Sequence, residues 1–328
     1  MDISRQLEDL WYGSHRLNGL LAPFSSLYSD LVRIRRWAYA RGLLAVRRLP
    51  IPVIVIGNLT VGGTGKTPLA IAVANLLKAH RYTPGIVARG YKGRSRQWPQ
   101  LVRPKSDPVR VGDEAVLLAQ RSQCPVAVGP DRWEAAQSLL ENYSCDIVVS
   151  DDGLQHLGLK RDIEIAVIDG VRRHGNGWCL PAGPLREPVS RLKRVDLIVT
   201  YGTAGPGELA MDYLLQRPRS LVNSAHARPL EDFCRTEVHA VAGIGHPERF
   251  FSALETQGMT LIRHPFPDHH AFSAEDIRFD DGLPVLMTEK DAVKCQGFAG
   301  PGHWYVPVEA KLDPRFEHRL LALLKNRG

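Results

Sequence analysis

The chain has 328 residues, enough for a full α/β core and a second, smaller module. Its formal net charge of +7 favours acidic partners such as nucleotides, anionic lipid or nucleic acid, but charge alone does not choose among them. The five cysteines form no Cys-x-x-Cys pair, which indicates a reducing compartment and argues against a zinc site. No apolar run approaches the roughly 20 residues that cross a bilayer. The N-terminus, with Asp2 and Glu8, shows no cleavable signal pattern, so the sequence predicts a soluble or peripheral protein.

The first predicted element is a basic amphipathic helix from about Ser25 to Arg48. Leu27, Leu31 and Ile34 fall on one side of it, and no acid occurs between Leu31 and Arg48. Cations alternate with aromatic and apolar residues, namely Arg33, Arg35, Arg36, Trp37, Tyr39, Arg41, Leu43, Leu44 and Arg47. Such a helix either lies in a membrane interface, with its cations on anionic headgroups, or packs on the core with a solvated basic face. The pattern by itself leaves both alternatives open.

The next stretch, Val53 to Pro68, is an apolar run that breaks into glycines and ends in Gly-Lys-Thr. It is typical of a strand, a phosphate-binding loop and the first turn of a helix, in which backbone N–H groups surround an anion. The lysine reaches the outer phosphates and the threonine hydroxyl can ligate Mg²⁺. The predicted nucleotide-binding residues are Gly62, Gly63, Thr64, Gly65, Lys66 and Thr67.

This loop departs from the usual P-loop pattern, because Thr60 stands where that pattern has a glycine. The Gly-Gly-x-Gly-Lys-Thr form also resembles the loop of dimeric ATPases of the cell-division-regulator type. Their additional signature lysine would fall at Val61. The remaining alternative is a glycine-rich turn that binds nothing.

After the loop, short apolar runs alternate with helical segments in the manner of βαβ units. One strand, ending at Val149, leads into Asp151 and Asp152, where open α/β sheets place their ligands. These two carboxylates are therefore the predicted magnesium ligands, and Asp169, after the following strand, is the rival. Acids at strand ends are often only turn formers, which is the structural alternative.

Phosphoryl transfer also needs positive charge near the γ-phosphate and a residue that aligns the nucleophile. The residues of suitable type are Asp113, Arg132, Asp152, His156 and His269. His269 and His270 are adjacent and cannot easily both face one ion, so zinc is disfavoured. The cation-rich segment from Arg89 to Arg110 is either a phosphate-reading loop or a solvated one.

Eight segments follow one another along the chain in a fixed order: 57–68, Arg89-Gly-Tyr91, Gly112-Asp-Glu114, Asp131-Arg132, 151–156, 180–187, 266–270 and Thr288-Glu-Lys-Asp291. In this order they resemble the tetraacyldisaccharide 4'-kinase family, the lipid A 4'-kinases of Gram-negative bacteria. The resemblance runs from about Pro23 to past Lys294, and the joint order of the motifs is far more specific than any one of them.

The resemblance implies an enzyme that uses ATP and Mg²⁺ to phosphorylate the 4'-hydroxyl of a tetraacyldisaccharide 1-phosphate, giving lipid IVA in lipid A biosynthesis. The implied location is peripheral, on the cytoplasmic face of the inner membrane. An anionic lipid surface is then a partner, which favours the interfacial alternative for the first helix. Neither nucleic acid nor an obligate protein partner is expected.

The implied fold is α/β: a P-loop NTPase-like, mostly parallel sheet flanked by helices, with a smaller C-terminal α/β domain joined by a two-stranded linker. We expect an N-terminal helical region at 1–50, the P-loop core at 51–217, the smaller domain at 218–284, and a return to the core with a final helix at 285–328.

The resemblance also implies residue roles. Asp113 would be the base that accepts the hydroxyl proton, and His269 its partner from the smaller domain. Lys66, Thr67 and Asp151 or Asp152 would hold nucleotide and metal. Further catalytic and substrate residues would be Arg132, Glu114, His156, Glu187 and Arg89.

Two other functions fit parts of the pattern. A P-loop GTPase or metallochaperone-type NTPase usually reads guanine with Asn/Thr-Lys-x-Asp, and Thr288-Glu-Lys-Asp291 departs from that spacing because Lys290 and Asp291 are adjacent. The second alternative is a membrane-bound ATP switch that phosphorylates nothing.

Overall fold

The computed structural model describes residues 9–13 and 17–327, and both Asp2 and Glu8 lie outside the described residues. Within them the chain forms two sheets. The larger has nine strands in the order β14-β8-β7-β6-β1-β5-β2-β4-β3, and the smaller has five in the order β11-β10-β12-β13-β9. Most neighbouring strands are parallel, and β3, β9 and β14 pair antiparallel at sheet edges.

The strands are β1 (Val53–Gly57), β2 (Pro84–Ala88), β3 (Gln100–Val102), β4 (Val126–Val128), β5 (Ile147–Ser150), β6 (Ile163–Asp169), β7 (Leu197–Tyr201), β8 (Leu209–Leu215), β9 (Arg219–Ser220), β10 (Glu237–Ala242), β11 (Thr260–Pro265), β12 (Val285–Thr288), β13 (His303–Val306) and β14 (Val308–Leu312). The helices with both ends described are α1 (Leu17–Ala40), α2 (Lys66–Ala79), α3 (Pro108–Val111), α4 (Asp113–Ser122), α5 (Arg132–Asn142), α6 (Pro247–Thr256), α7 (Glu289–Cys295) and α8 (Arg315–Arg327).

Helices cover both faces of the larger sheet. On one face α2, α4 and α8 pack against alternate strand residues such as Ile54 and Ile56. On the other face α5 packs against the intervening residues, among them Val53 and Val55. The five residues of β1 are all buried, as expected of a central parallel strand covered on both sides. This burial fixes the end of β1, and with it the start of the phosphate-binding loop.

The smaller sheet takes more of the chain than the sequence indicated. We expected a return to the larger unit at residue 285, but β12 and β13 belong to the smaller sheet, pairing with β10 and with each other. The return comes only at β14. An apolar run such as Val285–Met287 shows that a strand is buried without showing in which sheet it lies, so the sequence could not place this boundary.

Two strands connect the units. The chain passes from the larger sheet to the smaller unit after β8 and returns to the larger sheet at β14. The two strands pair antiparallel, from Val308 opposite Leu215 to Leu312 opposite Met211. They agree with the two-stranded linker that the family resemblance implied. The two strands were not predicted from the sequence, although Val308–Leu312 alternates apolar and charged residues as a half-buried strand does.

Helix α1 begins and ends earlier than expected. It ends at Ala40 because Gly42 adopts a positive φ of 73° and the N–H of Leu43 donates to the carbonyl of Ala38, a usual helix termination at glycine. Arg47 and Arg48 therefore lie beyond the helix. Arg47 stacks on Trp133, 4.8 Å from the ring centroid, so it serves internal packing rather than a helical basic face.

The apolar side of α1 faces outward. Its side chains are between 48% and 71% exposed and recur at helical spacing, at Leu17, Leu20, Phe24, Leu27, Leu31, Ile34 and Trp37. The structure thus excludes the alternative in which this side packs on the core. Among the described helices, none is both long and apolar enough to cross a membrane.

The opposite side of α1 is anchored by Ser25, the buried residue of this helix. Its hydroxyl donates to the carbonyl of Cys179 at 2.7 Å and accepts from the N–H of Ala182 at 2.9 Å. Tyr28 adds a hydrogen bond to the carbonyl of Arg186 at 3.2 Å. The helix is held by polar contacts on this side, and its apolar stripe remains exposed on the other.

We expect Ser25→Ala to lower the free energy of unfolding by about 1–3 kcal/mol, because it leaves a buried carbonyl and a buried N–H without partners. Urea denaturation measures this. The matched control is Ser26→Ala, whose side chain is exposed on the next position of the helix and which we expect to change little. Equal stability of the two variants would contradict the anchoring role.

Candidate active site

The glycine-rich loop follows β1 and opens helix α2 at Lys66. Gly62 and Gly65 have φ of 102° and 90°, which side chains rarely adopt. A Cβ on Gly62 or Gly63 would meet open space, whereas one on Gly65 would lie 2.0 Å from the hydroxyl of Tyr213. The Thr64 hydroxyl is buried without a protein partner. The loop is thus a concave turn, open on one side and backed by a strand of the connection on the other.

Asn58, which the sequence analysis did not single out, organises the loop from beneath. It is fully buried, and its side-chain oxygen accepts from Lys66 at 3.1 Å and from Arg186. Gln155 donates to its backbone carbonyl at 3.0 Å. A buried asparagine needs hydrogen-bond partners. The position of Asn58 between an apolar strand and a glycine-rich loop is therefore the feature of the sequence that could have indicated its role.

Asp151 and Asp152 lie directly beside this loop, as predicted. The Thr67 hydroxyl donates to Asp151 at 3.0 Å, and the Lys66 ammonium lies 3.6 Å from Asp152. Arg186 lies 3.1 Å from the same Asp152 carboxylate. Although burial opposes the charge, Lys66 and Arg186 lower the pKa of Asp152. Burial, with the negative charges of Glu114 and Asp152, raises the pKa of Asp151 to about 7.

This pair fits a magnesium ion. Asp151 is a buried carboxylate whose hydrogen-bond donors, the Thr67 hydroxyl and the backbone N–H of Asp152, are both neutral, and it lies among other acids, so a divalent cation would stabilise its ionised form. Thr67 and Asp151 supply hard oxygen donors, which Mg²⁺ prefers. Among the described residues, no group of three or more His, Cys, Asp or Glu side chains could hold a metal ion. Mg²⁺ usually takes several of its ligands from substrate phosphates and water.

Asp113 and His269 meet across the two units. Asp113 is the first residue of α4, and His269 Nδ1 lies 2.9 Å from its Oδ2. Both side chains are less than a tenth exposed. Although burial opposes the charge, the hydrogen bond from His269 and the charge of Lys290 lower the pKa of Asp113 to about 2. Asp113 is therefore ionised throughout the neutral range.

Two backbone positions bring these side chains together. Gly112 has φ of 95° and a Cβ there would lie 2.7 Å from the carbonyl of Tyr91, so the start of α4 is packed on the loop after β2. His269 itself has φ of 61°, a conformation that costs free energy outside glycine. Its N–H donates to the carbonyl of Gly243 at 3.2 Å, which holds the strained residue in place.

Glu114 and Lys290 extend this contact. The Lys290 ammonium lies 3.0 Å from Glu114 and 3.3 Å from Asp268. Arg121, about two helical turns further along α4, forms a second bridge of 2.7 Å to Glu289. The start of α7 is thus joined by ion pairs to both ends of α4. The sequence did not predict these pairs, since no spacing rule links residues 176 positions apart.

Arg132 and His156 lie at the ends of β4 and β5 rather than at the Asp113–His269 pair. Arg132 is buried and donates to the carbonyls of Gly129 at 3.0 Å and Asp152 at 3.3 Å. The backbone N–H of Arg132 donates to His156 at 3.2 Å, and burial, with the charge of Arg132, lowers the pKa of His156 to about 4. His156 is therefore a neutral acceptor. Arg89 is exposed, near enough to Arg132 for the two charges to interact.

Glu187 lies beneath the surface of the candidate site. It is buried, and it bonds Arg36 of α1 at 2.7 Å and Gln155 at 3.0 Å. It therefore links α1 to the segment that carries Asp151 and Asp152. The rival magnesium ligand Asp169 is also committed elsewhere, because its carboxylate pairs with Arg249 of α6.

The guanine-reading alternative for Thr288-Glu-Lys-Asp291 does not fit the structure. Asp291 is fully buried and accepts hydrogen bonds from the N–H of Gly243 at 2.8 Å and the hydroxyl of Thr288 at 2.6 Å. Lys294 lies 2.7 Å from its other oxygen. A carboxylate with these partners is not available to hydrogen-bond a guanine base.

The chain is similar to known proteins over nearly its whole length. The model of the family described as tetraacyldisaccharide-1-P 4'-kinase matches residues 17–325. The chain is 54% identical over 324 residues to a tetraacyldisaccharide 4'-kinase of Nitrosococcus oceani, covering 99% of this chain and 96% of the relative. It is 47% identical to one of Coxiella burnetii, covering 96% of this chain and 94% of the relative.

Among solved structures, the chain is similar to LpxK from Aquifex aeolicus in complex with ATP, with a TM-score of 0.79 and 29% identity. The match covers 94% of this chain and 99% of that one. The α/β P-loop fold, the kinase class and the use of ATP that the sequence predicted are confirmed. With a family model that spans nearly its whole length and relatives near half identity, this chain belongs to the tetraacyldisaccharide 4'-kinase family.

Proposed function

We propose that this chain transfers the γ-phosphate of ATP to the 4'-hydroxyl of a tetraacyldisaccharide 1-phosphate, with Asp113 as the base and His269 as its partner. The observation that carries the assignment is the 2.9 Å contact between these two buried side chains, one from each unit. A base needs an ionised form at working pH and a fixed direction, and this contact supplies both.

The nucleotide is held by its phosphates. The open side of the Gly62–Thr67 loop presents backbone N–H groups and the start of α2, which together attract anions. Lys66 is kept nearby by Asn58 and Asp152, so its ammonium is placed before the nucleotide arrives. Thr67 with Asp151 or Asp152 would hold Mg²⁺, which neutralises charge on the phosphates.

Asp113 lies at the N-terminus of α4 and retains a free lone pair for the sugar hydroxyl. Its Oδ1 accepts from the N–H of Glu114 at 2.9 Å and its Oδ2 from His269, which fix the carboxylate in one orientation. The carboxylate accepts the hydroxyl proton late in the reaction, as the bond to phosphorus forms, because an alcohol is too weak an acid to lose it earlier. The low pKa of Asp113 is consistent with this late acceptance.

Parts of the site come from both units, so their apposition completes it. A Cβ added at Gly245 of the smaller unit would lie 3.5 Å from the backbone nitrogen of Gly63 and 3.5 Å from the Asp268 carboxylate. The smaller unit thus reaches over the phosphate-binding loop. Closure at this point excludes water, which would otherwise compete with the sugar hydroxyl for the γ-phosphate.

The exposed stripe of α1 supports a peripheral position on the cytoplasmic face of the inner membrane. Arg33, Arg35 and Arg41 are exposed beside the stripe, where they can meet anionic headgroups while the apolar side chains enter the acyl boundary. The hydrogen bond of Tyr28 to Arg186 places the helix beside the loop that contacts Asp152. A multi-acyl substrate could then reach the site without leaving the bilayer.

We expect Lys66→Ala to reduce phosphate transfer by at least about 10²-fold, because the positive charge at the outer phosphates is lost. The measurement is transfer of label from γ-labelled ATP to the acylated disaccharide monophosphate with Mg²⁺. Lys311→Ala, an exposed lysine on β14, serves as the control. A near-normal rate in the first variant would remove the phosphate-binding assignment.

For Asp113→Asn we expect kcat to fall by about 10²- to 10⁴-fold, the range for loss of a general base, with little change in KM for ATP. Steady-state kinetics with both substrates varied separates the two constants. Should the change be confined to KM for ATP, Asp113 would act on the nucleotide and not on the sugar.

The combined change of Leu27, Leu31 and Ile34 to serine should weaken binding to vesicles that contain anionic phospholipid by at least about tenfold, since apolar area no longer enters the bilayer. Sedimentation with vesicles measures partitioning. The three side chains are exposed, so the unfolding midpoint should hold steady and serves as the control. Unchanged partitioning at low salt would refute the interfacial role.

A further inference from the structure

Lys290 is an almost buried cation at the contact between the two units, with a side chain 16% exposed. Its ammonium has three acceptors within reach: Glu114 at 3.0 Å, His269 Nε2 at 3.2 Å and Asp268 at 3.3 Å. An ammonium carries three N–H donors and no acceptor, so these three partners satisfy it. One of the three, His269, is the residue whose other ring nitrogen contacts Asp113.

The contact with His269 decides where that ring carries its proton. Because the Lys290 ammonium only donates, His269 Nε2 must accept and is therefore unprotonated. The single ring N–H then lies on Nδ1, which is 2.9 Å from the Asp113 carboxylate. A ring protonated on Nε2 would place an N–H against an ammonium, and a doubly protonated ring would add a second positive charge there.

We propose that Lys290 is a positioning residue for phosphoryl transfer: it holds His269 as the neutral Nδ1–H tautomer, so that the histidine always donates to Asp113. The inference rests on the proposed roles of Asp113 and His269. It also limits the path of the hydroxyl proton, which stays on the Asp113 carboxylate because His269 has no free nitrogen to receive it.

Lys290 is itself firmly held. Thr288 caps α7 by accepting from the N–H of Asp291 at 3.2 Å, and Asp291 binds the N–H of Gly243 at 2.8 Å. The carbonyl of Gly243 in turn accepts from the backbone N–H of His269. The start of α7 therefore fixes both the backbone and the ring of His269. Although burial opposes the charge, the carboxylates of Glu114, Asp113 and Asp268 raise the pKa of Lys290, so it remains an ammonium at neutral pH.

The test uses Lys290→Met, which keeps the length of the side chain and removes its donors. We expect kcat for transfer to fall by about 10- to 100-fold with KM for ATP within about twofold, a smaller loss than that of the base itself. Lys290→Arg retains donors and should recover part of the rate. Lys290→Gln is a second uncharged variant should Lys290→Met fail to fold, and Lys311→Met is the surface control.

Two further readouts separate positioning from a structural role. In a double-mutant cycle with His269→Ala, we expect Lys290→Met to add no further loss, because Lys290 acts through the ring. In ¹⁵N-detected spectra of the histidine rings, with His269 assigned from His269→Gln, the native protein should show the Nδ1–H tautomer. Lys290→Met should show a mixture with the Nε2–H or doubly protonated form.

An unchanged kcat in Lys290→Met, additive losses in the cycle, or an unaltered His269 tautomer in the variant would each overturn the proposal. The outcomes also separate it from the function on which it rests. If Asp113→Asn and His269→Ala collapse the rate and Lys290→Met does not, only the role of Lys290 fails. Near-normal rates in Asp113→Asn and His269→Ala would remove the base assignment and the role of Lys290 with it.

Discussion

The hydrogen bond between Asp113 and His269 is the interaction on which the functional arrangement depends, because it joins two sheets that each have their own core. A carboxylate as buried as Asp113 is costly unless it is paired and hydrogen-bonded. The smaller unit supplies the partner, so the apposition of the units and the ionisation of Asp113 support each other. Ion pairs between α4 and α7, such as Arg121 with Glu289, reinforce the same contact from the side.

The second constraint is the balance of charge around the phosphate-binding loop. Asp151 and Asp152 stand side by side, and they differ in state because Asp152 has the cations Lys66 and Arg186 nearby, whereas Asp151 accepts hydrogen bonds from two neutral donors, the Thr67 hydroxyl and the N–H of Asp152. The arrangement leaves Asp151 short of positive charge. In the proposed site this difference would leave Asp151 available to a magnesium ion while Asp152 keeps Lys66 in place.

Much of this was accessible from the sequence, and the reasons differ from element to element. The β1 strand and its loop follow from an apolar run that ends in glycines, and Asp151 follows from its place after a buried strand. The contact of His269 with Asp113 came from family resemblance and not from spacing. Lys290 belongs to the Thr288–Asp291 motif, but its role was not predicted, because a residue that acts through a partner far along the chain leaves no periodic signal. The exposure of the α1 stripe needed coordinates, since an amphipathic pattern does not say which side faces the protein.

The antiparallel pairing of β8 with β14 makes the smaller unit an insertion whose two ends are neighbours. Leu215 and Val308 are opposite each other in register, so the polypeptide that departs at one returns at the other. Genetically, residues 216–307 could be exchanged for a tight hairpin turn without stretching the larger sheet. A single backbone cleavage within residues 216–307, by contrast, would leave each of the two fragments attached to the larger sheet, one through β8 and the other through β14. The smaller unit, which carries His269, is thus inserted into the larger one between two paired strands.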